Sequence, residues 1–144
     1  MKHRIALALL AVSFAAPAAY ARDTIDTYPI DSALTSEPGK VDDSVALYFG
    51  DRPHPRVLKS YGKFATNKKT NAFGKSDEAA CQHVFLSAVI ELQARAKQEG
   101  GNAVIGINSN YRNVLHSSTS AYTCGAGAFV AGVALTGEVV TLKR

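Results

Sequence analysis

A helical repeat of hydrophobic positions is the clearest pattern in the chain. Ser76 is suited to cap a helix N-terminus, acidic residues follow it, and Gly100-Gly101 is typical of a helix stop. At about 100° per residue, the apolar side chains between these ends fall within one stripe. They are Cys81, Val84, Phe85, Ala88, Val89, Leu92 and Ala96. The pattern predicts an amphipathic helix over about 76–99 with one buried face.

Strand patterns precede this helix. The apolar run Val45–Phe49 ends at a Gly50-Asp51 turn and predicts a first strand. A second strand is predicted from Val57 to Thr66. The polar residues that follow, 67–74, predict a turn before the helix.

Two further strands are predicted after the helix. Residues 102–111 alternate, with Ala103, Ile105 and Ile107 on one face. Residues 129–142 predict a long final strand that is apolar on both faces. Because one helix covers only one face of a sheet, we expect the second face of this strand to meet another layer or another subunit.

Together these elements predict an α+β fold, with a small antiparallel or mixed sheet and the main amphipathic helix packed on one face. We expect a single domain over residues 45–144. The preceding residues, 22–44, lack apolar periodicity and contain Pro29, Pro38 and Gly39. That composition predicts an acidic arm that is extended or disordered.

Charge is unevenly distributed along the chain. Residues 22–51 carry seven acids and two bases, whereas residues 52–76 carry seven bases and no acid. Because charge runs are mostly solvated surface, we favour that interpretation of the basic block over a polyanion site. We also expect the acidic arm to dock weakly across the basic block, in a salt-sensitive way.

The first residues have the layout of a secretory signal peptide. A positively charged start, Met1–Arg4, is followed by an apolar run to Ala16, then Pro17 and the small-residue pattern ending at Ala21. The apolar run is shorter than the roughly 20 residues that a membrane span needs. No cysteine near Ala21 offers a lipid attachment point. We therefore expect cleavage of residues 1–21 and a periplasmic or secreted protein with no membrane span or lipid anchor.

The overall composition excludes several classes of protein. A chain of 144 residues is long enough for one small domain, and 47% hydrophobic residues are too many for a disordered chain. Sixteen Lys and Arg against twelve Asp and Glu is too mild a balance for an obvious nucleic-acid-binding protein. We therefore expect no nucleic-acid partner.

Common catalytic motifs are missing from the sequence. There is no GxxxxGK[ST] phosphate loop, no GxGxxG after a strand, no GxSxG elbow and no HExxH helix. We therefore expect that the protein is not an enzyme and uses no cofactor. A hydrolase with a dispersed site stays open, because catalytic triads are recognised by geometry and not by sequence order.

The two cysteines allow two kinds of site. In an oxidising compartment an even number of cysteines favours a disulfide between Cys81 and Cys124. The alternative is a zinc or copper site formed by Cys81, His83, His116 and Cys124. Residues two apart on a helix point about 200° away from each other, so Cys81 and His83 share an ion only if that turn unwinds. We favour the disulfide and expect no metal.

The chain from the predicted helix onward resembles a known family. The resemblance covers residues 76–144 and is carried by Leu92–Ala96, Gly100–Ile107, Tyr111 and Val133–Val140 through the basic end Lys143-Arg144. Its most specific part is the order of helix, glycines and strand, with the final strand at the right distance. They are similar to the YbjQ family, an uncharacterised family also labelled a heavy-metal-binding domain, and more remotely to the envelope-stress lipoprotein RcsF. The resemblance implies a compact α+β domain that assembles into rings and has no established enzymatic activity.

This chain also departs from both relatives. YbjQ proteins are typically without a signal peptide and without this cysteine pair, whereas RcsF carries a lipid-attachment cysteine. The metal label therefore transfers to no residue here. We expect a non-enzymatic periplasmic or secreted protein that acts through protein contacts in the cell envelope, as a homo-oligomer and with an envelope protein partner. The alternative is a small-ligand or metal-binding envelope protein.

Overall fold

The computed structural model describes residues 23–144, and the predicted signal peptide lies outside the described residues. The order of elements is β1 (Asp23–Pro29), α1 (Ile30–Leu34), β2 (Ala46–Phe49), β3 (Val57–Asn71), α2 (Asp77–Glu99), β4 (Ala103–Ser109), β5 (Ala121–Gly127) and β6 (Val130–Leu142). A short 3-10 turn, Tyr111–Asn113, lies between β4 and β5. The fold is α+β, as predicted: a mixed sheet of six strands with one main helix packed against it.

Strand β6 is the centre of the sheet. Along one side, β3 pairs with it antiparallel, from Val57 opposite Leu142 to Asn71 opposite Val130. The other side is shared, because β5 pairs with the start of β6 and β4 pairs with its second half, both antiparallel. Strand β1 extends the sheet beyond β5, and β2 extends it beyond β4 in the parallel direction. The edge strands are therefore β1, β2 and β3.

Helix α2 has the ends and the buried face that the sequence predicts. The Ser76 hydroxyl accepts a hydrogen bond from the Ala79 N–H at 3.1 Å. Gly100 ends the helix in the left-handed region, with φ of 89°. All the residues of the predicted stripe are buried, and they are Cys81, Val84, Phe85, Ala88, Val89, Leu92 and Ala96. This face packs against the sheet, mainly on β3 and β6. We call the side of the sheet that α2 covers the inner face.

Residues 23–34 correct the predicted arm. Strand β1 pairs with β5 along its whole length, and Ile30 and Ala33 of α1 lie in the main core. The domain therefore includes the chain from Asp23 onward and does not begin at Val45. The sequence hides this because an edge strand with exposed side chains and a helix of five residues leave no apolar repeat.

The acidic charges of this segment are also used differently from our expectation. Within the described part of the chain, ion pairs join Asp23 to Arg112 and Asp42 to Lys97, and a side-chain hydrogen bond joins Glu37 to His83. These partners lie outside the basic block 52–76. Hydrogen bonds from Lys97 and then Ser44 lower the pKa of Asp42 to about 2. The acidic segment is thus fastened to α2 and to the turn after β4.

Two strand predictions also need correction. Strand β3 runs on to Asn71, into the predicted turn 67–74, because β6 offers it hydrogen-bond partners along this whole length. In β4, the alternation breaks at a bulge between Ile105 and Asn108. Gly106 takes a φ of 57° there, so Val104 and Ile107 both reach the main core. Ile105 packs on the opposite side of the sheet.

Candidate functional site

The sheet face turned away from α2, which we call the outer face, has a floor of glycine. Because Cys124, Ala126 and Ala131 point into the core, their neighbours Gly125, Gly127 and Gly132 belong to the outer face. Gly125 lies directly opposite Gly132 across the β5–β6 pair. Because glycine has no side chain, another group can approach the backbone closely at these three positions.

Tyr111 lies on this glycine floor. A Cβ atom added to Gly125 would stand 2.0 Å from the Tyr111 hydroxyl oxygen, and one added to Gly132 would stand 3.4 Å from a ring carbon. A residue with a side chain at position 125 would therefore displace the ring. The position of the Tyr111 ring therefore requires glycine at position 125 of β5.

Residues 110–116 hold Tyr111 in place as a short layer over the outer face. Ser109 and His116 exchange two backbone hydrogen bonds of 3.0 and 2.9 Å, and the Asn110 N–H donates to the Ala134 carbonyl at 2.8 Å. Of the two alternatives expected for this face of β6, another layer or another subunit, the chain itself supplies a layer at Gly132, where the Tyr111 ring lies over the strand. Ala134 is only 8% exposed.

An apolar groove opens on one side of Tyr111. We call it the Tyr111 groove, and it is lined by Ile25, Tyr111, Arg112, Val114, His116 and Thr123. Its volume is about 320 Å³. Ile25 is 50% exposed and Val114 is 69% exposed, so both walls present bare hydrocarbon to solvent.

A pair of phenylalanine rings projects on the other side of Tyr111. Phe73, from the β3–α2 connection, and Phe129, from the β5–β6 turn, stack with centroids 5.6 Å apart and planes 4° from parallel. They are 68% and 66% exposed, and Val130 beside them is 50% exposed. We call these three residues the phenylalanine tip. The Ala72 N–H donates to the Phe129 carbonyl at 2.8 Å, which fixes the two connections to each other.

A shallow trough joins the groove and the tip. Its lining includes Tyr111 and Arg112 at one end, Phe129 and Val130 at the other, and the glycine floor between them. The groove and the tip therefore lie on one continuous surface, on opposite sides of the Tyr111–Arg112 pair. This surface is the candidate functional site.

Arg112 is the charged residue at the middle of this surface. It and Asn113 adopt positive φ angles of 53° and 61°, a strained backbone for residues with side chains. The guanidinium pairs with Asp23 and lies 5.5 Å from the centroid of the Tyr111 ring. The hydrogen bond to Asp23 raises the pKa of Arg112 above its ordinary value. The pair leaves the surface with matched charges at its centre.

The predicted cysteine and histidine residues are only partly brought together. Cys81 in α2 and Cys124 in β5 form a disulfide, with S–S 2.07 Å, and both are fully buried. His83 instead pairs with Glu37 beside α2, and His116 lines the Tyr111 groove on the outer face. Within residues 23–144, no group of three or more His, Cys, Asp and Glu side chains is placed to hold a metal ion. The four-residue metal site is therefore not assembled.

Sequence reasoning misses part of this surface, because it assigns Ile25 to an arm and Phe73 to a polar turn. The available signal is glycine at positions 125 and 127, two apart in β5, and at position 132 in β6, which indicates a strand face without side chains or a close approach of another group. The sequence does not predict which group approaches these glycines, because that depends on how residues 110–116 fold back over the sheet.

Comparisons of this chain with family models, with curated proteins and with solved structures find no match. The resemblance to the YbjQ family stays a prediction. Among residues 23–144, no helix combines the length and the apolar character needed to cross a membrane. The fold and the site together define a disulfide-bonded α+β domain with an exposed apolar surface on one face of its sheet.

Proposed function

We propose that the protein is a non-enzymatic periplasmic or secreted binding protein that acts through protein contacts made by its outer face. The observation that carries the proposal is the continuous, largely apolar surface formed by the Tyr111 groove, the phenylalanine tip and the trough between them, with the Arg112–Asp23 ion pair at its middle. Large apolar patches on a folded domain typically mark contact sites. Burying one such side chain completely is worth about 1.5–3 kcal/mol, so a partner that covers several of them gains substantial affinity.

The kind of residue on this surface also supports contact with a protein. Interface centres are enriched in aromatic residues and arginine, and the surface carries Phe73, Phe129, Tyr111 and Arg112. The backbone hydrogen bond from the Ala72 N–H to the Phe129 carbonyl fixes the two connections that carry the rings, so a partner does not have to order this backbone. An aromatic surface on a fixed backbone suits a lasting contact.

The buried disulfide and the predicted signal peptide support this compartment. A buried disulfide is stable in an oxidising environment and rare in a reducing one. The periplasm or the extracellular space is therefore the proposed location. The partners we propose are further copies of this chain and an envelope protein.

Site-specific crosslinking tests the proposed function. A photoreactive residue at position 129 should crosslink to protein partners in the intact envelope, and the groove variant Ile25→Thr/Val114→Ser carrying the same photoreactive residue should lose most of those products. Leu58→Ser is the matched control, because Leu58 is 55% exposed but lies at the opposite end of the β3–β6 pair. Equal crosslinking by all three proteins, or none by the wild type, would contradict the proposal.

A second candidate function is the binding of a small apolar ligand in the Tyr111 groove. Its volume of about 320 Å³ is at the lower end of the range for small-molecule sites, about 300–1,000 Å³. Titration with the naphthalene dye ANS tests this candidate. Stoichiometric binding that the groove variant loses and Leu58→Ser retains would favour it over protein contact. Calorimetry with zinc and copper on the oxidised protein tests the metal alternative, and micromolar stoichiometric binding would support it.

A further inference from the structure

A polar cavity opens on the outer face where β3, β6 and β4 lie side by side. It has a volume of about 330 Å³, and among the described residues it shares no lining with the Tyr111 groove or with the trough. The three strands form its floor, and the β2–β3 connection and Leu115 form its walls. We call it the Lys63 cavity. Its charged side chains are Asp51, Arg52, Lys63 and Glu138.

The strand register brings four polar side chains together on the floor of this cavity. Lys63 of β3 lies directly opposite Glu138 of β6. Two residues earlier in β6, Thr136 lies opposite Asn108 of β4. Because Val139 lies in the main core, Glu138 and Thr136 project from the outer face. Side chains that face each other in an antiparallel pair start only about 5 Å apart, so one small molecule can reach all four.

The charges of the Lys63 cavity are balanced and largely unused by the protein. Lys63 and Glu138 lie opposite each other, yet neither forms an ion pair within the described part of the chain. The β2–β3 connection adds Asp51 and Arg52, one charge of each sign. With His54 neutral, the lining carries two positive and two negative charges. A ligand can therefore find a partner of either sign.

Asn108 adds a hydrogen-bond acceptor that the protein does not use. Its Oδ1 atom is buried, and no donor among residues 23–144 reaches it. Buried polar atoms nearly always have a partner, because an unpaired one keeps the cost of its lost hydration. Asn108 lines the Lys63 cavity. An N–H donor of a bound ligand would supply the partner that the fold does not.

The wall of the cavity that carries Arg52 is held in a fixed position. The Gly50 N–H donates to the Ile107 carbonyl, inside the bulge of β4, at 2.9 Å. The Arg52 Nη2 donates to the Thr119 carbonyl at 3.2 Å, which leaves its other N–H donors for a ligand. A Cβ atom added to Gly50 would stand 2.9 Å from the Ser118 carbonyl carbon, so the chain is closely packed there. The site is thus formed before a ligand arrives.

This set of groups matches a small zwitterion better than a ligand with one charge. A carboxylate can pair with Lys63 and Arg52, while an ammonium group donates to Glu138 and to the Asn108 oxygen. An anion or a cation alone would take charges of the opposite kind out of water without pairing them. A volume of about 330 Å³ is at the lower end for small-molecule sites, which suits an amino acid or a dipeptide.

We propose that the Lys63 cavity binds a small zwitterion that carries a carboxylate and an ammonium group, as amino acids and dipeptides do. The carboxylate lies on Lys63 and Arg52, and the ammonium group lies on Glu138 and Asn108. This inference goes beyond the proposed function, because it concerns a different part of the outer face and a different class of ligand. It gives a use to the unpaired charges and to the unpaired amide oxygen of the floor.

Calorimetry on the oxidised protein is the first test, with L-alanine and L-alanyl-L-alanine as probes. We expect one of them to bind saturably at one site per chain, and the tighter of the two identifies the source as a free amino acid or a peptide. Alanine amide lacks the carboxylate and N-acetylalanine lacks the ammonium group, so each should bind at least about tenfold more weakly than alanine. For a dipeptide site, the same two caps on alanyl-alanine serve as controls. No saturable binding of either probe at about 10 mM would overturn the inference, as would equal binding of a capped compound.

Two charge-neutral variants test the orientation of the ligand. Lys63→Gln and Glu138→Gln should each weaken binding at least about fivefold. Lys63→Gln should also lose the preference for a free carboxylate, and Glu138→Gln should lose the preference for a free ammonium group. Lys59→Gln is the matched control, because Lys59 is an exposed lysine of the same strand outside the cavity. Preferences that survive both substitutions, or equal weakening by Lys59→Gln, would overturn the proposed contacts.

The same proteins separate this inference from the proposed function. Unfolding midpoints of the three variants check that the fold is retained. Lys63→Gln should crosslink through position 129 as the wild type does, because its cavity is separate from the trough. A protein that binds neither probe but crosslinks through position 129 overturns this inference and leaves the proposed function intact. Saturable binding of a probe without any crosslinked partner does the reverse.

Discussion

The two faces of the sheet are closed by different physical means. On the inner face, α2 covers β3 and β6, the Phe85 and Tyr122 rings stack at 4.0 Å, and a covalent bond joins α2 to β5. On the outer face, glycines remove the side chains and one ring lies on the bare backbone. The inner face gains stability from buried apolar area, whereas the outer face around Tyr111 leaves Ile25, Val114 and Val130 at least half exposed.

Under the proposed function, stability depends on the inner face of the sheet and binding depends on the outer face. A substitution on the inner face should change the free energy of unfolding and leave association intact, as long as the protein folds. A substitution at the tip or the groove should weaken binding and leave the free energy of unfolding nearly unchanged. Phenylalanine occurs on both faces, which allows the same chemical change to be compared in the two environments.

The largest expected effect contrasts Phe85→Ala with Phe129→Ala. Phe85 is fully buried, so its truncation should lower the free energy of unfolding by about 3–5 kcal/mol. Phe129 is 66% exposed, and the same truncation should cost about 0.5 kcal/mol or less in the monomer. Urea unfolding at low protein concentration measures both. Similar losses at the two positions would show that the faces do not differ as described.

The disulfide gives the next largest effect. Replacing both cysteines, Cys81→Ala/Cys124→Ala, should lower the free energy of unfolding by about 2–4 kcal/mol, because the cross-link across 43 residues no longer restricts the unfolded chain. Reduction of the wild type should lower its melting temperature in the same way. Peptide mass mapping without reductant on protein from the envelope checks the bridge itself, and free thiols at both positions would contradict it.

The sequence predicts the inner face well and the outer face poorly, for a physical reason. Helix α2 and its partner strands bury side chains at regular intervals. The hydrophobic pattern therefore predicts that Cys81, Phe85 and Leu92 lie on one face of the helix. The outer face depends on where an irregular segment folds back. Tyr111 stands among polar residues, and its seat is defined by glycines that are distant in sequence.

A double-mutant cycle tests the seat of Tyr111. Gly125→Ala places a methyl group where the Tyr111 hydroxyl lies, so it should cost about 1–3 kcal/mol in the wild type. In the Tyr111→Ala background the three side-chain atoms nearest to this methyl group are absent, and the cost should fall below about 0.5 kcal/mol. Chemical denaturation of the four proteins gives the coupling energy. Equal costs in both backgrounds would mean that the ring does not rest on Gly125.

The smallest expected effect on the free energy of unfolding at neutral pH comes from removing the hydroxyl of Tyr122, on the inner face. Within the described structure its hydroxyl is buried without a hydrogen-bond partner, and desolvation by burial, followed by nearby Tyr28 and Glu78, raises its pKa. An unfolded tyrosine titrates near pH 10, whereas the folded protein holds this proton to higher pH. The unfolded state therefore gains stability as pH rises above 10, and the free energy of unfolding should fall by up to about 1.4 kcal/mol per pH unit.

Tyr122→Phe isolates this contribution, because the other tyrosines are common to both proteins. The variant keeps the ring stacked on Phe85 and removes only an unpaired hydroxyl, so at pH 7 its stability should lie within about 1 kcal/mol of the wild type. Between pH 10 and 11.5, roughly the range in which unfolded tyrosine ionises, the wild type should lose stability faster than the variant. Parallel curves from urea titrations across this range would show that the Tyr122 hydroxyl is reached by solvent, and that the inner face is less completely closed than its packing indicates.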